Sequence, residues 1–363
     1  MKRKIVIFPE QLHSHVPGGI GIYTTEVLRH FATLAQVKGL DLKIFGSRLS
    51  GDSDPFLQFG VPVGQTWLNH RQLMRAWDLG LYATSNDTFA TISFSMAGPT
   101  GGTQVRRLVT VYDLAFQSVP ETFTARGRRW HEARLASIRK SRAKVVTISE
   151  QSQKQLVNAG FSLQRIILAE PGADHLAAAD LVGTRGLLET LGIHSDFLLT
   201  VGTLEPRKNL SRVFEAVAKS RLDLGAVYPL VVVGPRGWGS SMRSTPGIHI
   251  IGHVRPEVLA GLYRLASALI YVPLFEGFGL PPIEAMSACT PVIASQLPST
   301  ATTNCAIVDP YSIDDIARGI CKVISDDQYR SSLVRDGLIK VSTMRWTDTA
   351  RAIVDGALSD QEQ

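Results

Sequence analysis

Short apolar runs alternate with amphipathic stretches along this whole chain. In the first half the runs fall at 4–8, 42–46, 79–83, 108–112, 145–148 and 166–169. In the second they fall at 197–201, 230–234, 248–251, 268–272, 292–294 and 306–308. They are continuous and β-branched rather than strictly alternating, which suits strands covered by helices on both faces. Strand–helix alternation through each half predicts an α/β protein of two doubly wound, Rossmann-like parallel sheets. The runs thin between Pro171 and Ser195, so the domains are expected at 1–172 and 173–344. Ligands of open α/β sheets bind outside the carboxyl ends of the strands, and two such domains facing each other make a cleft. The loops that follow the runs are therefore where chemistry is expected.

The loop after the run 268–272 carries the densest chemistry. It reads Phe275-Glu276-Gly277-Phe278-Gly279-Leu280-Pro281-Pro282-Ile283-Glu284. The proline pair suits a first helical turn, where a missing N–H costs nothing. Glu276 is then expected in a glycine-bounded loop, and Glu284 in the first turn beside orphan amides. A strand, a glycine turn and a helix start form an anion site. Carboxylates on both sides of it suit a ligand with hydroxyls flanking its phosphates, as in a sugar nucleotide.

The run 197–201 leads into Gly202-Thr203-Leu204-Glu205-Pro206-Arg207-Lys208-Asn209-Leu210. Two cations at a helix start oppose the dipole, and an incoming diphosphate reverses that sign. The bland alternative is pairing with nearby carboxylates. In the first half, Pro17-Gly18-Gly19-Ile20-Gly21-Ile22-Tyr23 precedes a helix expected from about Thr24. The dinucleotide pattern G-x-G-x-x-G is broken at Thr24, and the second run ends in Phe45-Gly46-Ser47 with no acid. Hydride chemistry is disfavoured, while close backbone approach to a phosphate or sugar at Gly19 and Gly21 stays open. Tyr112-Asp113 ends the run 108–112, where Asp113 suits either a site or a turn cap. His13, His15 and His253 suit ordinary loop histidines.

Composition narrows the class. The chain has 363 residues, with 44% hydrophobic and 19% charged content, as in a globular protein of two domains. Met1-Lys2-Arg3-Lys4 is followed by too short an apolar stretch for a leader, so a cytoplasmic protein is expected. Cys289, Cys305 and Cys321 are scattered and show no zinc pattern. The formal charge is +6, concentrated in the segment from Arg126 to Lys144. That cluster suits an anionic membrane surface or a phosphate-bearing acceptor, or simply a solvated helix face. Thin aromatic interleaving disfavours nucleic acid.

Taken together, these segments resemble glycosyltransferase family 4, retaining enzymes of the GT-B fold. Glu276 and Glu284 look like its E-x7-E pair, and 202–210 like its donor-phosphate segment. Gly18 to Tyr23 is similar to its first glycine loop, and Ser149-Glu150 to its S-E turn. The resemblance runs from the first strand to the last helix. It implies that Arg207 and Lys208 neutralise the leaving diphosphate without a metal ion. It implies that Glu284 holds the ribose and that Glu276 contacts the sugar. Gly202, Phe278, Gly279 and Leu280 would line the phosphates, and His253 and Val254 would approach the base. The last helix, about 345–363, would cross back onto the first domain. Two departures stand out: Tyr112-Asp113 replaces the family's His-Asp, and Leu297-Pro298-Ser299 replaces Leu-Pro-Glu.

The resemblance points to hexose transfer, with GDP-mannose favoured over UDP-sugars and a saccharide acceptor, lipid-linked at the inner membrane face. A sugar-nucleotide epimerase and a non-catalytic nucleotide-sugar binding subunit are the rival expectations.

Overall fold

The computed structural model describes residues 2–14, 18–48, 54–81, 85, 87–99, 105–235, 237, 246–300 and 304–359. The chain divides into two compact units, Met1–Gly172 with Arg345–Gln363, and Ala173–Met344.

The first unit holds a seven-stranded, all-parallel sheet of β1 (Arg3–Phe8), β2 (Leu40–Gly46), β3 (Val63–Gln65), β4 (Thr88–Ser93), β5 (Arg106–Thr110), β6 (Lys144–Thr147) and β7 (Ile166–Leu168). Its order is β3-β2-β1-β4-β5-β6-β7. The order reverses between β1 and β4, the switch point where doubly wound sheets open a crevice. The helices Gly18–Lys38 and Trp346–Leu358 pack together beside this sheet. Trp346 is buried, and its ring meets Tyr23 edge-on at 5.5 Å. The Thr349 hydroxyl donates to the Glu170 carbonyl at 2.5 Å, fastening the closing helix to the chain just after β7.

The second unit holds six parallel strands: β8 (Leu198–Val201), β9 (Leu230–Val233), β10 (Ile248–Gly252), β11 (Ala268–Tyr271), β12 (Val292–Ala294) and β13 (Ala306–Ile307). Their order, β10-β9-β8-β11-β12-β13, again reverses beside the first strand. All four residues of β11 are buried, as a strand covered on both faces requires. The helix Leu210–Leu224 turns Leu210, Val213, Phe214 and Val217 inward, spacings of three and four that form one apolar stripe. That stripe meets Ile270, Ile293, Ile316 and Ile320 in the core.

Two sequence expectations fail in the first unit. The run 79–83 is not described as a strand: Leu79 ends the helix His70–Asp78, Leu79 and Leu81 are exposed, and 82–83 lie outside the described residues. Asn69 and Gln72 form a reciprocal cap that commits this stretch to helix. The strand at this place in the sheet is β4, where Thr88, Thr91 and Ser93 are buried. A search for apolar runs misses a strand whose interior positions are hydroxyls. The short edge strand β3 was missed as well.

Candidate functional site

The chemistry-bearing residues of the second unit stand on the loops after β8 and β11, neighbours across the switch point. After β8 the chain passes Gly202 at φ +153 and enters the tight turn Pro206–Lys208. A side chain on Gly202 would sit 3.3 Å from Lys208 Cε, so glycine there makes room for the lysine stem. Asn209 closes the turn in the left-handed conformation, φ +59, which its short amide tolerates. Its side-chain N–H donates to the carbonyls of Val272 and Pro310 at 3.1 and 2.7 Å. The turn is thereby tied to the tip of β11.

Four charged groups converge there. Lys208 Nζ lies 2.5 Å from Glu276 Oε1, and Arg207 Nη1 lies 2.8 Å from the same oxygen. Arg207 also donates to Glu205 Oε1 at 2.6 Å and to the Phe275 carbonyl at 3.0 Å. Lys208 donates to the Tyr271 hydroxyl at 3.0 Å. Burial alone would raise the Glu276 carboxyl. The charges of Arg207 and Lys208, with their hydrogen bonds, outweigh it and bring it down to about 2. Burial and the adjacent Glu276 charge push the Tyr271 phenol well above its ordinary value, so it stays protonated.

The two cations expected at this helix start do not leave a net positive charge. Arg207 and Lys208 are offset by Glu205 and Glu276, and the unliganded cluster is close to neutral. The pairing with nearby carboxylates that the sequence left open is what the geometry shows.

Glu284 differs from its expected setting. The helix runs Leu280–Ser287 behind Gly279, which places Glu284 in the second turn. Both carboxylate oxygens are engaged: Oε1 lies 2.9 Å from His175 Nε2, and Oε2 accepts from the Tyr263 hydroxyl at 2.6 Å. Its side chain is only 5% exposed. A ribose diol would have to use the second lone pairs of those oxygens. The helix start is also poorer in donors than the sequence suggested. A helix leaves its first four amides unpaired, and two of those positions here are Pro281 and Pro282. Gly279 and Leu280 supply the amides that remain. Gly279 holds φ +97, and a Cβ there would stand 2.8 Å from Ser299 Oγ. That hydroxyl is buried without a hydrogen-bond partner among the described residues.

The other candidates scatter. Gly19 and Gly21 lie inside the helix Gly18–Lys38, which begins at Gly18 rather than near Thr24. Pro17 and His15 are outside the described residues. Asp113 Oδ1 accepts from Ala115 N at 2.9 Å and caps the turn Ala115–Ser118. The Tyr112 hydroxyl donates to the Phe94 carbonyl at 2.9 Å, and burial pushes its phenol well above the ordinary value. It packs edge-on to Tyr23 at 5.4 Å and so serves the interior of the first unit. His13 stacks on Phe56, and His253 and Val254 follow β10 with the imidazole exposed. Ser149 caps the helix Glu150–Asn158 through Ser152 N.

The basic segment is not one charged face. Arg134 is buried and donates to the Met96 and Gly98 carbonyls, and Lys144 donates to Ser359. Arg126, Arg128, Arg129, Arg139, Lys140 and Arg142 are exposed. No helix among the described residues is long and apolar enough to cross a membrane. No group of three His, Cys, Asp or Glu among them is placed to hold a metal ion.

Sequence reasoning missed Tyr271, Tyr263 and His175, which looked like strand, helix and linker residues. The available signal was that a buried phenol needs a hydrogen-bond partner.

The family model described as Glycosyl transferases group 1 matches residues 191–338. O-antigen chain mannosyltransferase B of Escherichia coli is 28% identical over 260 residues, 66% of this chain and 67% of that protein. The serotype-specific mannosyltransferase WbdA of the same organism is 28% identical over 185 residues, 47% of this chain but 23% of that longer protein. Among solved structures, sucrose-phosphate synthase from Thermosynechococcus elongatus superposes with a TM-score of 0.71 at 17% identity, covering 98% of both chains. Anabaena Alr3699/HepE, solved with UDP and glucose, gives 0.70 at 14%, covering 97% of this chain and 98% of that one. Two doubly wound parallel sheets of this kind, with these neighbours, define the GT-B fold. The chain is a glycosyltransferase whose second unit carries the match to Glycosyl transferases group 1, and it is similar to the bacterial mannosyltransferases.

Proposed function

We propose that the enzyme transfers mannose from GDP-mannose to a saccharide acceptor in cell-surface polysaccharide biosynthesis, with retention and without a metal ion. The observation that carries this reading is the convergence of Arg207, Lys208 and Glu276 at the tips of β8 and β11. As the glycosidic bond to the diphosphate breaks, negative charge grows on the leaving oxygens and the anomeric carbon gains oxocarbenium character. A guanidinium and an ammonium held at fixed positions stabilise that charge without reorganising. The amides of Gly279 and Leu280 add dipoles at the same place. Glu276 is assigned to the hydroxyls of the transferred sugar and Glu284 to the ribose.

The choice of mannose rests on the names of the relatives, O-antigen chain mannosyltransferase B and WbdA. Retention follows from the family resemblance. Among the described residues we assign no pair of carboxylates as nucleophile and acid in the glycosidase manner. A lipid-linked acceptor at the inner membrane face would account for the exposed Arg126, Arg129 and Lys140 on the helix Ala125–Lys140.

The test is a thermal-shift panel of GDP, UDP and ADP in EDTA, followed by turnover of GDP-mannose. GDP should raise the melting temperature without metal. Indifference to all three nucleotides would overturn the reading, and stabilisation by UDP alone would overturn the choice of donor.

A further inference from the structure

We infer that Glu276 is an internal competitor of the donor diphosphate: it occupies Arg207 and Lys208 in the free enzyme, yields them to the incoming phosphates, and retakes them to expel the nucleotide product. The inference rests on the diphosphate reading of the clamp.

A single oxygen, Glu276 Oε1, meets both cations, at 2.5 Å from Lys208 Nζ and 2.8 Å from Arg207 Nη1. Those faces of the ammonium and guanidinium are the ones a phosphate oxygen would use. A carboxylate and a diphosphate cannot share them, since two anions in contact repel as strongly as each is attracted.

Each cation has a further anchor that does not involve Glu276. Arg207 keeps Glu205 at 2.6 Å and the Phe275 carbonyl at 3.0 Å. Lys208 keeps the Tyr271 hydroxyl at 3.0 Å, and its ammonium also lies 5.2 Å from the Tyr271 ring centre. When Glu276 leaves, the cradle keeps its shape. Glu205, buried behind Arg207, is the permanent counterion, while Glu276 stands on a loop next to Gly277 and is the exchangeable one.

Charge counting gives the direction. With both carboxylates in place the four side chains sum to zero, so the free site has no net pull on a dianion. Release of Glu276 raises the sum to plus one as the phosphates arrive. In the donor complex the freed carboxylate can turn to the sugar hydroxyls. After transfer no sugar holds it there, and it competes with the departing nucleoside diphosphate. The arrangement favours the sugar-bearing donor over the bare product.

The test is calorimetric binding of GDP and UDP to the full chain in EDTA, for wild type, Glu276→Gln and Glu205→Gln. Glu276→Gln should bind the nucleoside diphosphate about tenfold more tightly, equivalent to ~1.4 kcal/mol. The variant should lose sugar transfer and be inhibited at lower product concentration. Glu205→Gln should not tighten binding, because Arg207 loses its anchor. Thermal melts check folding, and Glu276→Ser repeats the comparison if the glutamine variant melts early. Unchanged or weaker nucleotide binding by folded Glu276 variants, with wild type binding normally, would overturn this inference and leave the clamp assignment standing. Equal tightening in both glutamine variants would reveal a general charge effect and also overturn it. No binding of either nucleotide by wild type would remove the diphosphate reading itself.

Discussion

Lys208→Ala probes the leaving-group assignment directly. The ammonium is 14% exposed and is fixed between Glu276 Oε1 and the Tyr271 hydroxyl. A unit charge about 3 Å from a phosphate oxygen, at an effective dielectric of about 20, interacts by roughly 5 kcal/mol. Most of that acts on bound donor and transition state alike. Only the part that grows as the leaving oxygen gains charge changes turnover. Removing one preorganised donor of this kind costs about 10²–10³ in kcat, or ~2.7–4 kcal/mol. The fold should survive, because Arg207 still pairs with Glu276 and the turn remains tied by Asn209. The assay is initial-rate transfer from GDP-mannose at saturating donor, beside a thermal melt. A kcat within a few-fold of wild type, in a variant that melts normally, would refute the assignment.

Two further outcomes test the structure away from the cations. Burial would raise the Glu10 carboxyl, but hydrogen bonds from His13, His70 and Ser47 overcome this and hold it at about 2. An unfolded carboxyl near 4.5 binds protons first, so this stabilisation is complete above pH 4.5 and is lost as pH falls toward 2. It amounts to about 3 kcal/mol at most. Urea midpoints at pH 6 and pH 3 should fall further apart for wild type than for Glu10→Gln. Glu276 titrates in the same window in both proteins, so only that difference isolates Glu10. Gly279→Ala should lower donor affinity and stability by about 1–3 kcal/mol through backbone strain at φ +97. Adding Ser299→Ala should relieve the 2.8 Å contact but not the strain; full recovery in the double variant would show that contact alone mattered.

Much of the second unit was legible in the sequence because its strands are continuous apolar runs. Each of the six runs from 197 onward coincides with a strand of β8 to β13. The first unit was less legible. The central strand β4 hides behind buried hydroxyls, and exposed Leu79 and Leu81 imitate a strand. Gly19 and Gly21 suggested a loop because glycine is a poor helix former, yet packing of the long helix Gly18–Lys38 on its neighbours overrides that weak preference.

By itself the sequence determined the α/β class, the two loops that carry the clamp, and the residue types within them. Apolar periodicity, glycine and proline act over a few residues, and those features are local. Only the tertiary structure decided which charges meet. Glu276 meets Lys208, 68 residues earlier, and the adjacent Arg207 because β8 and β11 are neighbours in the sheet, and Glu284 is held by Tyr263 and by His175, 109 residues away. Strand order is a property of the whole folded sheet, so the electrical neutrality of the unliganded clamp could not be read along the chain.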